Sequence, residues 1–411
     1  MSFNVKKYLL EDVITIFNSQ RIPLSSRERV SRQGIYPYYG AQGIIDYIDG
    51  YIFDGEYILV AEDGENLVSK KQQIANLAKG KFWVNNHAHI IRNNDNSDFK
   101  YLYYLLNFID ISSYVTGSAQ PKLSKGNLNK IAIELPSLSV QTKVAAFLSA
   151  LDDKIELNNR MNKVLEQMAQ AIFKQWFVDF EFPNENGEPY KSCGGEMEWC
   201  EELGKEIPKG WKYGKIGDYV SVKSGYAFKS SWWQETGIPV IKIKDIDNNT
   251  INFSDVSYVA EDKVDAAKEF LVQGGDLLIA MTGATLGKYG IVPPVTSKVL
   301  VNQRVGKFFL GDRPTVKLGF IFGLLSREEV FNVIVSKGDG SAQPNISPSA
   351  IEGIRVIYPD NDLIVSYNSL VKDYFEKMLI NIRHNLVLSN LRNTLLPKLM
   401  SGEIDVSEIE L

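Results

Sequence analysis

The chain contains 411 residues, of which 44% are hydrophobic, and carries a formal net charge of −5 at pH 7. That length can bury two hydrophobic cores, and the small negative charge argues against a protein that coats nucleic acid nonspecifically, while it leaves room for a local basic face. The two cysteines, Cys193 and Cys200, form neither a disulfide framework nor a zinc signature. No secretory signal and no membrane-spanning apolar run is found, so we expect a soluble protein of the cytoplasm.

The first predicted body, residues 1–140, opens with a loop-rich segment in which turn formers and tyrosines mix at residues 34–43. Three short runs then predict regular structure, with strands at 57–61 and 81–84 and a buried helix at 101–108. The sequence GSAQP follows at residues 117–121. These elements predict a body that contains both strands and a helix.

A long amphipathic stretch follows the first body, and we place a helix at residues 141–180. Its residues recur at spacings of three and four, which is the pattern of a coiled-coil seam. The seam residues are Leu148, Leu151, Ile155, Asn158, Asn162, Leu165, Ala169, Ile172 and Trp176. Residues 144–177 alone would form a helix about 50 Å long, which indicates a spacer between two bodies.

The same plan occurs a second time in the chain. GSAQP returns at residues 340–344, an offset of 223. This offset predicts a second seam with the residues Val371, Tyr374, Met378, Asn381, Asn385, Leu388, Arg392, Leu395 and Leu399. The resulting division places a linker at 181–206, a second body at 207–362, a second helix at 363–402 and a tail at 403–411.

Both seams contain two asparagines in matching register. A polar seam residue costs stability but fixes the register and orientation of paired helices. If the helices run antiparallel, Asn158 faces Asn385 and Asn162 faces Asn381. The alternative is that both are ordinary surface helices in which asparagine is tolerated.

The two bodies share anchor segments and differ in the loops between them. Residues 54–60 correspond to residues 274–280, and the sequence VNNH at 84–87 corresponds to VNQR at 301–304. Loops that diverge on a shared scaffold are expected where two copies bind different targets and keep a common partner.

Motifs for catalysis and metal binding are weak, and we expect no cofactor and no metal. Residues 283–289, GATLGKY, have the wrong glycine spacing and Tyr where a phosphate loop needs Ser or Thr. His87 and His89 have no further ligands nearby and are better explained as a polar strand face, and Asp152 and Asp153 fit the charged outer face of a helix. His384 is expected to face solvent. The sequence indicates a binding protein.

Several segments together resemble the DNA-specificity subunit of type I restriction–modification systems. They are GWK at 210–212 leading into IGD at 216–218, IFKQWFVDF at 172–180, LLPKLMSGEI at 395–404, and the two GSAQP loops. The resemblance covers essentially the whole chain. One departure is that the first body lacks a counterpart of the Gly-Trp opening at Gly210.

The resemblance implies an α+β fold with a pseudo-two-fold internal repeat, in which two similar mixed α/β target-recognition domains are joined by two long antiparallel coiled-coil helices. It implies a chain that is not itself an enzyme. Its partners would be double-stranded DNA, two adenine methyltransferase subunits and restriction (translocase–nuclease) subunits. Each domain would recognise one half of a split DNA site, and the helices would set the gap between the halves.

Base recognition requires Arg, Lys, Asn and Gln side chains on rigid loops. In the first body we expect DNA contacts from Tyr38, Tyr39, Gln42, Lys70, Lys71, Gln120 and Lys122. In the second body we expect them from Lys223, Lys229, Lys242, Lys244, Lys288, Gln343 and Asn345. The GSAQP loops have a competing interpretation as elements that pack a domain against its helix.

Three alternatives remain open for the sequence. The chain is also consistent with the specificity subunit of a smaller system whose partner fuses methyltransferase and nuclease. A stand-alone methyltransferase is disfavoured, because a cofactor glycine loop and an Asn/Asp-Pro-Pro-aromatic motif are both missing. A coiled-coil scaffold with no DNA role is the third.

Overall fold

A computed structural model describes residues 5–117, 119–338 and 344–408. The chain divides into two compact units. Unit 1 contains Met1–Lys154 and Val387–Leu411, and unit 2 contains Ile155–Leu386. Among the described residues, no helix is long and apolar enough to cross a membrane.

Unit 1 contains a six-stranded sheet and a two-stranded sheet. Its strands are β1 (Lys6–Leu9), β2 (Ile14–Ile16), β3 (Gln33–Gly40), β4 (Gly43–Ile48), β5 (Phe53–Ala61), β6 (Ala75–Val84), β7 (Ala88–Asn93) and β8 (Ala132–Leu135). The large sheet has the order β2-β7-β5-β6-β3-β4, in which only the described pair β3 and β6 is parallel, and β1 pairs with β8. The two predicted strands are confirmed, because they lie within β5 and β6.

The helices of unit 1 cover one face of the large sheet. They are α1 (Ser26–Ser31), α2 (Asn66–Ser69), α3 (Phe99–Phe108), α4 (Lys125–Asn129) and the first part of α5 (Leu138–Phe177), with 3₁₀ turns at Leu10–Asp12, Asn18–Gln20 and Ser112–Tyr114. Helix α3 confirms the predicted buried helix and begins two residues earlier, because the Asp98 carboxylate caps it by accepting the Tyr101 amide. The core joins Ile58, Leu102 and Leu148.

Unit 2 contains more and shorter strands than unit 1. They are β9 (Met197–Cys200), β10 (Lys205–Pro208), β11 (Lys212–Lys215), β12 (Val222–Ser224), β13 (Trp233–Gln234), β14 (Ile238–Ile241), β15 (Ile246–Asp247), β16 (Thr250–Ile251), β17 (Ser257–Val259), β18 (Leu277–Ala280), β19 (Tyr289–Ile291), β20 (Leu300–Val301), β21 (Val305–Phe308) and β22 (Arg355–Tyr358). They form sheets with the orders β12-β21-β18-β19-β16-β15 and β13-β17-β14-β20, and the pairs β9–β10 and β11–β22.

The helices of unit 2 are α6 (Ile216–Tyr219), α7 (Thr315–Leu325), α8 (Glu328–Ser336), α9 (Pro348–Glu352), the remainder of α5 and the first part of α10 (Asn361–Met400), whose last part from Val387 belongs to unit 1. The 3₁₀ turns of unit 2 are at Ser230–Trp232, Ile243–Asp245, Glu261–Lys263, Asp265–Phe270 and Gly283–Thr285. An aromatic cluster of Phe173, Phe320 and Tyr367 joins α5, α7 and α10 in the core. The segment expected as a linker also packs into this core, because Phe182 is buried and stacks on Trp211 with 5.2 Å between ring centroids.

The internal repeat extends from the sequence into the elements. Helices α5 and α10 are each 40 residues long, and both their first and their last residues differ by the sequence offset of 223. The strand before each helix pairs antiparallel with the first strand of its body, since β8 pairs with β1 and β22 with β11 in the same register. The first body therefore keeps this pairing without the Gly-Trp opening.

The predicted seams are confirmed by burial, because none of their residues is exposed. His384, predicted to face solvent, is exposed. The explanation of Asp152 as part of an outer charged face is wrong. Its carboxylate is 28% exposed, accepts the Tyr104 hydroxyl at 2.6 Å and pairs with Arg392 at 2.5 Å, all within unit 1.

Candidate nucleic-acid interface

Four loops of each unit meet where strands end, and we call each group a loop cluster. Loop cluster 1 consists of residues 39–42, 62–64, 85–87 and 121–123 of unit 1. Loop cluster 2 consists of residues 241–244, 281–283, 302–304 and 344–346 of unit 2. In each cluster the loops follow the ends of three strands, β3, β5 and β6 in unit 1 and β14, β18 and β20 in unit 2.

Five hydrogen bonds hold loop cluster 1 together. The Asn85 amide donates to the Tyr39 carbonyl at 3.0 Å, and the Asn85 side-chain oxygen accepts the His87 amide at 2.8 Å. The amide of Glu62 donates to the His87 carbonyl at 2.9 Å. The fourth loop, residues 121–123, joins through two backbone bonds, in which the Leu123 amide donates to the Glu62 carbonyl at 2.8 Å and the Gly64 amide donates to the Pro121 carbonyl at 3.1 Å. The backbone of all four loops is thereby fixed.

Loop cluster 2 contains the same five hydrogen bonds. The Asn302 amide donates to the Ile241 carbonyl at 2.9 Å, and the Asn302 side-chain oxygen accepts the Arg304 amide at 3.2 Å. The remaining three run from a backbone amide to a backbone carbonyl. They are Met281 to Arg304 at 3.0 Å, Ile346 to Met281 at 3.0 Å and Gly283 to Pro344 at 2.9 Å. The bonds define equivalent positions without reference to sequence similarity, including His87 with Arg304 and Asp63 with Thr282. The sequence alignment of residues 54–60 with residues 274–280 is therefore wrong by one residue, because the hydrogen bonds and the strand register align Ala61 with Ala280.

The first GSAQP segment is a tight loop at the rim of loop cluster 1. Thr116 and Lys122 close it with two backbone hydrogen bonds of 2.9 and 2.7 Å. Gly117 has a φ of +89°, and a Cβ there would lie 2.5 Å from the Gln120 carbonyl oxygen, so this position requires glycine. The last residue of each segment, Pro121 or Pro344, supplies the carbonyl that ties it to the cluster. In both units this part of the segment is built into the loop cluster.

The side chains of loop cluster 1 form a charged network. Arg21 pairs with Glu62 at 2.8 Å and Lys122 approaches it at 3.6 Å, while His87 Nδ1 lies 2.6 Å from Asp63 Oδ2. Burial alone would raise the pKa of Glu62, but the Arg21 hydrogen bond and the neighbouring positive charges outweigh it and lower that pKa. Glu62 is therefore ionised at neutral pH.

The buried His89 supports this network as a neutral residue. It is fully buried, and burial lowers its pKa. Its Nε2 donates to the Leu123 carbonyl at 2.8 Å, and its Nδ1 accepts the Asn18 side-chain amide at 2.8 Å. His87 and His89 thus have separate partners, and no group of His, Cys, Asp or Glu side chains in the described residues is arranged to hold a metal ion.

Loop cluster 2 carries different side chains. Glu62 and Asp63 are replaced by Met281 and Thr282, which removes both carboxylates. Arg304 and Asn345 are exposed.

Two lysines complete loop cluster 2. Lys242 Nζ lies 3.6 Å from the centroid of the Trp233 ring, and Lys244 pairs with Asp255 at 2.6 Å. Burial, followed by the charge of Lys244, lowers the pKa of Lys242. Loop cluster 2 therefore presents donors where loop cluster 1 presents an acid–base network.

The comparison with known families decides which protein class builds this pair of clusters. A family model described as type I restriction modification DNA specificity domain matches residues 4–167 and 208–366. The chain belongs to this family. Each match includes one loop cluster, so the two clusters are parts of two copies of the DNA specificity domain.

Relatives and a solved structure agree with this assignment. The type I restriction enzyme MjaIX specificity subunit of Methanocaldococcus jannaschii is 31% identical over 342 residues, covering 81% of this chain and 75% of that protein. The MjaVIII specificity subunit of the same organism is 24% identical and covers 92% and 88%. The type I S subunit from M. genitalium superposes with a TM-score of 0.57 at 18% identity, covering 97% and 96%, which shows the same fold.

Of the residues expected to contact DNA, several lie in the two loop clusters or at their rim. They are Gln42, Gln120 and Lys122 in the first specificity domain and Lys242, Lys244 and Asn345 in the second. Gln42 lies beside Gly64, since a Cβ on that glycine would be 3.7 Å from Gln42 Nε2. Their contact with DNA stays a prediction.

The structure places the two tyrosines that were expected to contact DNA in the core of the first specificity domain. Tyr38 is fully buried and its hydroxyl accepts the Leu24 amide at 2.9 Å, and Tyr39 is 9% exposed and packs edge-on against Phe82. Buried rings of this kind support the sheet and present no surface to DNA, so Tyr38 and Tyr39 leave the proposed set.

Other expected contacts lie away from the loop clusters or already have partners. Lys70 donates to the Ile109 carbonyl at 3.0 Å, Lys223 pairs with Glu269, and Lys229 lies 5.6 Å from the Trp232 ring centroid. Lys71 and Lys288 are exposed beside α2 and at the start of β19. Gln343 lies outside the described residues.

Two exposed residues at the centre of the clusters, His87 and Arg304, were not among the expected DNA contacts. His87 was weighed only as a metal ligand, and Arg304 was not considered. The signal was available, because VNNH and VNQR had been aligned and end in these two side chains. What sequence lacked was the hydrogen bonding that makes the positions equivalent.

The asparagine pairs expected between the helices are present within unit 2. Asn158 Nδ2 donates to Asn385 Oδ1 and Asn381 Nδ2 donates to Asn162 Oδ1, both at 2.8 Å. Asn158 and Asn381 are buried. This pairing is antiparallel, and its role in fixing register stays a prediction. Replacing all four by Leu without changing the single folded species or its partners would contradict that role.

Proposed function

We propose that this chain is the non-catalytic subunit that recognises a bipartite DNA sequence for a type I restriction–modification complex. Loop cluster 1 recognises one half of the site and loop cluster 2 recognises the other. The complex would methylate adenines within the site and, with restriction subunits added, restrict DNA that lacks the methylation. Family membership supports the general role, and the finer assignment rests on the clusters.

The observation that carries this proposal is the duplicated hydrogen bonding with divergent side chains. The same five bonds hold His87 and Arg304 in equivalent positions, although one is a histidine and the other an arginine. Selection for stability alone keeps the scaffold and leaves no reason for the exposed side chains to acquire different, specific hydrogen-bonding groups. Two readers of two different half-sites need both features.

Partner subunits are proposed to dock on the exposed apolar side chains of the long helices. On α5, Leu157, Val164 and Met168 are exposed and recur at spacings of seven and four residues, which places them along one side of the helix. On α10, Val387 and Leu391 are exposed in unit 1. Apolar side chains on a helix that already has its own seam favour further helix packing. Two methyltransferase subunits are the partners that the two-fold repeat of the chain suggests.

The net negative charge agrees with a division of labour among the subunits. Most of the free energy of DNA binding comes from neutralising phosphates, and its salt dependence counts those contacts. A chain with a net charge of −5 is suited to specificity, while the methyltransferase subunits supply much of the phosphate contact. We therefore expect a shallow salt dependence for the isolated chain and a steep one for the complex.

The test is to map methylated adenines in host DNA by single-molecule sequencing, with the gene present and deleted, and to repeat the mapping after co-expression with the neighbouring methyltransferase gene. The proposal expects a split motif with two defined halves and a fixed gap that disappears on deletion. Methylation that is unchanged by deletion and by co-expression would contradict it and favour a scaffold without a DNA role.

A further inference from the structure

We propose that His87 and Arg304 are the equivalent specificity-determining side chains of the two specificity domains, and that Arg304 recognises a guanine in its half-site. This inference rests on the proposed function and assigns residues to it. His87 and Arg304 occupy equivalent positions because their hydrogen-bonding environments match. Neither the chemistry of the two side chains nor their separation in the sequence would suggest this equivalence.

The backbone of both residues is fixed on both sides. In each, the amide nitrogen donates to an asparagine side chain two residues earlier, and the carbonyl accepts an amide from the loop after the neighbouring strand. A strand begins directly afterwards, β7 at Ala88 and β21 at Val305. A fixed backbone removes the cost of ordering the loop when the side chain binds, which favours precise base readout.

Both side chains are exposed at the same point of the fold. The His87 side chain is 48% exposed. Arg304 is exposed and makes no ion pair with any residue that the structure describes. Among the other arginines of unit 2, Arg160, Arg327 and Arg355 pair with Glu156, Glu329 and Glu202, whereas Arg313 and Arg383, like Arg304, have no ion pair with a described residue. Arg304 therefore keeps its full set of donors for a ligand.

The residues beside each side chain match the chemistry of each. In loop cluster 1 the carboxylate of Asp63 accepts a hydrogen bond from Nδ1 of His87, which orients the ring and leaves Nε2 free for a ligand. In loop cluster 2 the equivalent of Asp63 is Thr282, so this position places no carboxylate beside Arg304. The first position therefore presents one ring nitrogen, and the second presents a guanidinium with several donors.

These two arrangements select different bases. An arginine makes a bidentate pair with the O6 and N7 acceptors of guanine in the major groove. An imidazole with only Nε2 free cannot form that bidentate pair and makes a single hydrogen bond to a base edge. The two half-sites are therefore expected to differ at the positions that His87 and Arg304 contact.

The experiment places the substitutions R304A, R304K and H87A in the gene in its host, and methylated adenines are mapped as above. The control is R313A. Arg313 is also exposed in unit 2 but follows the far end of β21, whereas Arg304 directly precedes that strand. Thermal unfolding of each purified variant shows that it is folded.

We expect R304A to reduce the preference for guanine at one position of one half-site by about 10- to 100-fold, and to leave the other half unchanged. R304K should relax the same position, because lysine keeps the charge but loses the bidentate fork. H87A should relax one position of the opposite half, and R313A should leave the motif intact.

The inference is overturned if R304A and R304K are folded and leave the motif intact, or if they weaken methylation at all sites alike, which is the signature of a phosphate contact. It is also overturned if R313A has the same effect as R304A. The proposed function fails separately, because then the wild-type gene itself produces no split motif.

Discussion

Loop clusters 1 and 2 have the same backbone hydrogen bonds and different charged side chains. The five hydrogen bonds agree in partners and nearly in length, yet cluster 1 encloses Glu62 and Asp63 and cluster 2 has Met281 and Thr282 in their places. The comparison separates two kinds of residue. Those that bond backbone to backbone are shared, and those that point away from the backbone differ, which is how one fold can recognise two targets.

The glycines of the two clusters give the largest expected difference. Gly64 has a φ of +128° and a Cβ there would lie 2.6 Å from the Asn66 side-chain oxygen, whereas Gly283 has a φ of +74° and a Cβ there would make only an ordinary contact of 3.9 Å with Ile243 Cδ1. We expect Gly64→Ala to lower the free energy of unfolding by about 3 kcal/mol and Gly283→Ala by about 1 kcal/mol. Urea denaturation of both variants measures the free energy of unfolding. Equal losses of that free energy would show that the two loop clusters tolerate alanine at this position equally well.

The shared asparagines give a smaller contrast. Asn85 is 8% exposed and Asn302 is half-buried, although the two side chains accept hydrogen bonds from equivalent backbone amides, those of His87 and Arg304. Asn85→Ala is expected to cost about 2 kcal/mol and Asn302→Ala about 1 kcal/mol, because an unsatisfied amide costs more where water cannot reach it. Hydrogen exchange at the His87 and Arg304 amides measures the local effect, and protection unchanged from the wild type would show that these bonds do not order the loops.

The smallest effect is a pH dependence of opposite sign in the two units. The pKa of Glu62 is lowered in the folded chain, so its contribution to stability is present above the unfolded-state pKa and is lost as pH falls through the folded one. Asp276 pairs with Lys307 at 2.9 Å, but burial outweighs that charge and raises its pKa, so its contribution improves as pH falls.

Two matched variants test these signs. Relative to the wild type, Glu62→Gln should lose more hydrogen-exchange protection at pH 7 than at pH 4. For Asp276→Asn, the protection of the wild type should increase relative to that of the variant as the pH falls. Hydrogen exchange of peptides containing residues 62–64 and 276–283 reports each unit separately. The same sign for both variants would contradict the stated balance of burial and charge at one of the two sites.

Sequence periodicity was sufficient to predict the long helices, their seams and the two asparagine pairs. A coiled-coil seam is a local pattern, and an amide inside an apolar seam has few partners other than the matching amide of the opposite helix. The start of α5 at Leu138 was not predicted, because the first turns pack on unit 1 and follow its core instead of the seam.

The residues of the loop clusters could be predicted only in part. Lys122 and Asn345 entered the expected set because the repeated GSAQP sequence marks their loops, and their contact with DNA stays a prediction. Tyr38 was misjudged, because a tyrosine-rich turn gives no sign of whether its rings face solvent or the core. The Arg21–Glu62 pair joins residues 41 positions apart in sequence and depends on the complete sheet. Such long-range contacts fix the charge of the site, and no local pattern encodes them.

The central claim is that two loop clusters recognise two half-sites together. Its most direct test is equilibrium binding of the chain, assembled with its methyltransferase subunit, to duplexes that carry both halves of the mapped motif, either half alone, or both halves with the gap changed by one base pair. We predict specific binding to the complete site only. Equal affinity for a single half, or indifference to the gap, would contradict the claim.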